Sequence, residues 1–229
     1  MSIVGLVAGL GPESTIDYYR RILEAWARAR PGSAPGIVID SLDVQQALRL
    51  VQGDRAALIA YLCGSLDRLA GAGVDFAALT ANTPHLVFDE LAARSRVPLI
   101  SIVETCASAA RSLGLGRLLL LGTRFTMEGP FYPAVCARHG IAIVSLNAAD
   151  MGWVHERYVD ELLNGEFRDE TRQRFIEIVD RVRRDSGVEG VILGGTELPL
   201  LLRDTTIAGI PALDTTALHV DAIVQRLLQ

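Results

Sequence analysis

The sequence contains no lysine; all 22 of its Lys/Arg residues are arginine. That absence excludes three chemistries. A pyridoxal-phosphate enzyme needs a lysine for its internal aldimine, and a Schiff-base aldolase needs one for its imine. A Walker-type phosphate loop needs its lysine as well. An arginine- and alanine-rich chain without lysine most simply reflects genomic base composition. Cysteine is scarce: Cys63, Cys106 and Cys136, an odd number with no C-x-x-C, all in helix-like stretches. They read as free thiols of a reducing, cytoplasmic compartment. No apolar run reaches the ~18 residues that span a bilayer, so no membrane partner is expected. The apolar start, Met1-Ser2-Ile3-Val4-Gly5-Leu6-Val7, carries no basic residue and no cleavage site before Gly9. It predicts a buried strand rather than a signal peptide. Basic surface is lacking too. The net charge is -5, the pI is about 5.4 and no arginine run exceeds two, so no nucleic-acid partner is expected.

What is present is a packable core. The 229 residues are 50% hydrophobic and 21% charged, enough for one large domain or two small ones of up to ~150 residues. Short apolar runs predict strands at residues 3–8, 36–40, 76–80, 99–100, 118–121, 141–144, 190–193 and 211–213. Most are apolar on both parities, as parallel strands covered on two faces are. Between them, residues 14–28, 55–72 and 172–184 carry apolar residues at three-to-four spacing, which predicts amphipathic helices. Alternating strand and helix gives an α/β fold. The chain also repeats. Residues 3–9 resemble 117–122, residues 75–83 resemble 189–197, and Val97-Pro98-Leu99-Ile100 resembles Ile210-Pro211-Ala212-Leu213, all offset by about 114 residues. Two pseudo-symmetric halves follow, each with a parallel sheet flanked by helices, and with ligand-binding loops at the carboxyl ends of the strands.

Four of those strand ends are small, polar and glycine-rich. The first is Gly9-Leu10-Gly11-Pro12-Glu13-Ser14-Thr15, where Pro12 suits a helix start and Ser14 or Thr15 could cap it. It lacks the full G-x-G-x-x-G of a dinucleotide loop. The others are Thr80-Ala81-Asn82-Thr83-Pro84-His85, Gly122-Thr123-Arg124-Phe125-Thr126-Met127 and Gly194-Gly195-Thr196-Glu197-Leu198-Pro199. Helix-start N–H groups with Asn and Thr side chains make a carboxylate cradle. Taken singly, Asn82, Thr83, Thr123 and Thr196 could equally be helix caps. No His/Cys/carboxylate cluster has metal-ligand spacing, so no metal is expected.

These loops, in this order, resemble the aspartate/glutamate racemase superfamily along essentially the whole chain, nearest to the aspartate racemase and broad amino-acid racemase branch. The resemblance implies a cofactor-independent isomerase of two pseudo-symmetric domains with the active site between them, and homodimers are common. It implies that the last strand and helix return to the first domain, giving 1–98 plus 212–229 and 99–211. It places Gly9, Ser14, Asn82, Thr83, Thr123, Thr126 and Thr196 in substrate binding, with Asn82, Thr83, Thr126 and Thr196 on a carboxylate. It also implies two proton-transfer cysteines on opposite faces of the substrate α-carbon, one before Asn-Thr and one before Thr-Glu.

Here those two positions are Ala81 and Gly195. A basic residue common near the start of the helix ending in Glu161-Leu162-Leu163-Asn164-Gly165 is replaced by Trp153. An arginine expected near 45–47 is absent from Val44-Gln45-Gln46-Ala47. Each missing charge-assisted bond is worth roughly 1.5–3 kcal/mol, so a larger, less acidic amino-acid-like carboxylate stacking on Trp153 is expected, unless Trp153 is an ordinary core residue. Glu197 is the first candidate for proton transfer and His85 the second, followed by Glu13 and Asp43. Three readings stay open. One is a superfamily isomerase, or a derived lyase or cyclase, using rebuilt acid/base groups. The second is a non-catalytic carboxylate-binding relative. The third is a racemase whose cysteines have been deliberately replaced.

Overall fold

A computed structural model describes residues 2–229; Met1 of the apolar N-terminal run lies outside them. The chain divides into two compact units. One comprises the residues up to Ile102 together with His219–Gln229, and the other Val103–Leu218.

In the first unit β1 (Ile3–Ala8), β2 (Gly36–Ser41), β3 (Phe76–Leu79) and β4 (Leu99–Ile100) form a parallel sheet in the order β2-β1-β3-β4. Its helices are α1 (Pro12–Ala29), α2 (Val44–Gly53), α3 (Arg55–Gly71) and α4 (Phe88–Arg94). Strands β1 and β3 are apolar on both parities because both their faces are covered. Val4, Leu6, Ala8, Phe76 and Ala78 pack with Tyr18, Ile22 and Trp26 of α1 and with Val220, Ile223 and Val224 of the C-terminal helix. Val7, Ala77 and Leu79 turn the other way, onto Leu58, Leu62, Leu66 and Leu69 of α3. Each fully buried leucine contributes roughly 1.5–3 kcal/mol.

In the second unit the chain runs through α5 (Ile102–Ser112), β5 (Arg117–Gly122), α6 (Arg124–Glu128), α7 (Phe131–Arg138) and β6 (Ala142–Val144). It continues through α8 (Ala148–Asp160), α9 (Asp169–Ser186), β7 (Gly190–Gly194), α10 (Leu198–Leu201), β8 (Thr206–Ile207) and β9 (Ile210–Asp214). The sheet order is β6-β5-β7-β9-β8. Leu119, Leu121, Val191 and Leu193 pack on Val154 and Tyr158 of α8 and on Phe175, Ile178 and Val179 of α9.

The repeat is visible in the register. Ala77 pairs with Leu99 in the first sheet and Val191 with Ala212 in the second. The orders β2-β1-β3-β4 and β6-β5-β7-β9 correspond strand for strand.

Two expectations need correction. The second sheet is mixed, because β8 pairs antiparallel with β9 through a turn in which Ala208 (φ 49°) and Gly209 (φ 78°) are left-handed. A two-residue strand before an Ala-Gly turn has too little pattern to read in sequence. The unit boundaries also move. Strand β9 pairs with β7, so residues 212–218 belong to the second unit, and β4 pairs with β3, so 99–102 belong to the first. Only the helix returns. After β9, α11 (Thr215–Leu227) carries Val220, Ile223, Val224 and Leu227 into the first core. After β4, α5 runs into the second unit, where Glu104 meets Arg138 at 3.0 Å and His139 at 2.5 Å.

Candidate active site

In the first unit, β1 is followed by Gly9, whose φ of +77° and close approach to Leu42 (a Cβ would stand 2.6 Å from its nitrogen) require glycine. The Gly9 N–H donates to Thr15 Oγ1 at 2.9 Å, and that hydroxyl donates to the Gly11 carbonyl at 3.0 Å. Thr15 therefore closes the loop. The expected Ser14 or Thr15 cap is not formed, because the N-cap is Gly11, which has no side chain to cap with. Ser14 is buried and Glu13 exposed. Asp43 caps α2, accepting from the Gln45 N–H at 2.8 Å and the Gln46 N–H at 3.3 Å, which gives it a structural task.

At the end of β3, Ala81 and Asn82 are buried and Thr83 opens a short 3-10 turn. His85 has both ring nitrogens on backbone. The Ile102 N–H donates to Nε2 at 3.3 Å, so Nδ1 carries the proton and donates to the Ala81 carbonyl at 3.1 Å. The ring stacks on Phe88 at 4.9 Å. Burial first, and neighbouring His219 second, lower its pKa to about 3. His219 is also held through both ring nitrogens. It donates from Nε2 to the Ile100 carbonyl at 3.1 Å and accepts from the Tyr18 hydroxyl at 2.9 Å, and burial lowers its pKa to about 4. Two neutral histidines thus pin the chain leaving β4.

In the second unit, Thr123 caps α6, its Oγ1 accepting from the Thr126 N–H at 3.3 Å, and the two hydroxyls lie 3.2 Å apart. Thr126 is fully buried. A Cβ on Gly122 would stand 2.7 Å from the Gly194 carbonyl oxygen, so the ends of β5 and β7 touch backbone to backbone.

Past β7, Thr196 and Glu197 are buried at 3% and 2% exposure. The Glu197 carboxylate accepts the Tyr158 hydroxyl, and the Thr196 hydroxyl at 3.3 Å. Tyr158 comes from the last turn of α8 and is 3% exposed. Burial, followed by the Glu197 charge, raises its pKa well above the usual phenol range. Gly195 explains its own lack of a side chain: a Cβ there would stand 2.6 Å from the Tyr158 hydroxyl oxygen and 2.7 Å from Cζ. The tyrosine fills that space. Glu197 precedes only a one-turn helix, Leu198–Leu201, whose dipole is small.

Trp153 packs edge-on against Phe175 of α9, with centroids 5.3 Å apart, and joins the core of its unit. The three thiols stand away from the strand ends, in α3, α5 and α7. Burial raises all three pKa values, that of Cys136 to about 11. Among the described residues no group of three or more His, Cys, Asp or Glu side chains could hold a metal, and no helix is long and apolar enough to cross a membrane. Sequence reasoning missed Tyr158. The signal was there in part, since Val154 and Tyr158 lie four apart on one helix face and both are buried.

Comparison with known proteins places the chain. Curated relatives include two racemases. A broad specificity amino-acid racemase of Bacillus subtilis is 26% identical over 146 residues, covering 62% of this chain and 63% of that protein. A glutamate racemase of Koribacter versatilis is 27% identical over 187 residues, covering 78% of this chain and 62% of that protein. The matched region therefore spans under two-thirds of either relative. Among solved structures, an aspartate racemase homologue from Pyrococcus horikoshii superposes with a TM-score of 0.85 at 28% identity, over 100% of both chains. A candidate Asp/Glu racemase from Yersinia pestis superposes with a TM-score of 0.90 at 31% identity, also over 100% of both. The family model described as Asp/Glu/Hydantoin racemase matches residues 7–223, and the chain belongs to that family.

Proposed function

We propose that this protein is a cofactor-independent isomerase acting at the α-carbon of an amino-acid-like carboxylate, with Glu197 in place of a catalytic thiol. One observation carries the reading. A buried carboxylate, held by two hydroxyls, stands two residues beyond the position where the resemblance puts a cysteine. An α-proton is removed only if the resulting enolate is stabilised, and oriented hydroxyl and amide donors do that without reorganising. Asn82, Thr83, Thr126 and Thr196 are the candidate carboxylate donors, with Thr123, Gly9 and Ser14 shaping their loops. Trp153, packed on Phe175, takes a core role instead of stacking on substrate. His85 acts as a positioning residue for the Ala81 carbonyl, since neither ring nitrogen is left for substrate. The lack of an arginine at Val44–Ala47 favours substrates less acidic than aspartate.

A lyase variant of the same chemistry is favoured by Ala81. Its methyl group cannot carry a proton, and a decarboxylation needs only one proton delivered to one face, whereas racemisation needs two. The test is α-proton exchange in D2O, followed by NMR, across acidic, neutral and aromatic amino acids, with CO2 release from 2-substituted malonates in parallel. Turnover of any member that is lost in Glu197→Gln supports the reading. Binding without exchange or CO2 release supports the non-catalytic relative instead.

A further inference from the structure

We infer that Tyr158 is a catalytic residue: its phenol takes up the α-proton as it gives its own proton to Glu197. The inference rests on the isomerase reading above and names the group that touches the reacting carbon. The Tyr158 hydroxyl oxygen lies 2.6 Å from where a Gly195 Cβ would be, so a proton-carrying atom stands almost where a cysteine side chain would begin. That phenol donates to Glu197, and Thr196 donates to the same carboxylate oxygen. All three side chains are buried, so the bond does not compete with solvent.

The step balances within the pair. The α-C–H bond breaks and its proton forms an O–H bond to Tyr158, while the phenol proton moves to the Glu197 carboxylate. The carbon's electron pair remains on the substrate as an enolate. Reversal returns a proton, or a solvent deuteron once the pair has exchanged. No net charge is left on the phenol, which its buried setting would disfavour. Glycine at 195 is then a requirement of the arrangement, since any Cβ would displace the ring.

The experiment compares wild type with Tyr158→Phe in the D2O exchange assay, using the best substrate of the panel. Phenylalanine keeps the ring and removes the proton. The expected result is a fall in kcat of at least ~100-fold, the usual scale of a general acid–base group, with KM little changed. Site-specific 3-fluorotyrosine at 158, whose phenol is more acidic, should move the basic limb of the kcat profile to lower pH. That second measurement keeps the test decisive if Tyr158→Phe fails to fold. Undiminished exchange in Tyr158→Phe, or an unmoved basic limb in the fluorinated protein, overturns the role of Tyr158 and leaves the isomerase reading standing. A wild type that exchanges nothing and releases no CO2 overturns both.

Discussion

Returning cysteine to position 195 should damage this protein rather than revive a racemase. A Cβ at Gly195 would approach the Tyr158 hydroxyl to 2.6 Å and Cζ to 2.7 Å, on a side chain 3% exposed and packed in the core of its unit. Overpacking of that kind costs roughly 1–3 kcal/mol. If the ring moves to relieve it, the buried Glu197 carboxylate loses its phenol donor, which costs about 1–3 kcal/mol more. For a chain of this size 1 kcal/mol corresponds to roughly 2–4 °C in Tm. A Gly195→Cys or Gly195→Ala protein should therefore melt roughly 5–15 °C below wild type in calorimetry or circular dichroism. Adding Tyr158→Ala should make the two losses non-additive, because the second change removes the atoms the first collides with. A Gly195→Cys protein with wild-type Tm and a readily titrated thiol would refute the reasoning. It would also revive the reading in which the cysteines were simply replaced.

Other expectations follow from the same geometry. Stability should fall in mild acid: His85 and His219 have folded pKa values lowered to about 3 and about 4, against about 6.5 unfolded. Their stabilisation is complete above pH 6.5 and is lost as pH drops towards those values, because only the unfolded chain takes up the protons. Each histidine accounts for roughly 1.4 kcal/mol per pH unit, so the urea midpoint should decline steeply between pH 6.5 and 4.5, and a flat profile would contradict the buried neutral pair. Gly9→Ala should cost more than about 2 kcal/mol in chemical denaturation, combining a left-handed backbone with a collision against Leu42. Iodoacetamide should leave α-exchange intact, because Cys106 and Cys136 are buried with raised pKa values; inactivation that tracks modification of either would restore a thiol mechanism. In chiral chromatography, racemisation should lag well behind deuterium exchange, since Ala81 offers no second proton carrier. Equal rates would count against one-sided proton transfer.

Much of the architecture was legible because parallel strands covered on both faces carry a signal in themselves. The runs at 3–8, 76–80 and 190–193 are apolar and buried, and in the first two both faces meet helices. The repeat was readable because the same pairing, Ala77 with Leu99 and Val191 with Ala212, recurs with like residues in like places. The unit boundaries were less legible. Strand β9 and helix α11 are adjacent in sequence but pack in different cores, and no residue between Asp214 and His219 announces the change. The strand-end loops were found from their small and polar residues. Their division of labour was not, because a buried histidine bound to two backbone groups and a catalytic histidine are spelled alike.

Tyr158 shows where that limit lies. Its helix face could be read from Val154 four residues earlier, which says that the ring points inward. Which strand end it reaches depends on how α8 lies on the sheet, and its partner Glu197 is 39 residues away. Taken alone, the glycine at 195 reads as a deletion of chemistry. Set against the tyrosine, it is the residue that leaves room for a phenol–carboxylate pair, so the glycine and the buried tyrosine belong to one arrangement. On this account neither position can be changed singly with profit. Cysteine at 195 meets the ring, and phenylalanine at 158 leaves Glu197 buried without its phenol donor. A chain returning to thiol chemistry must alter both at once.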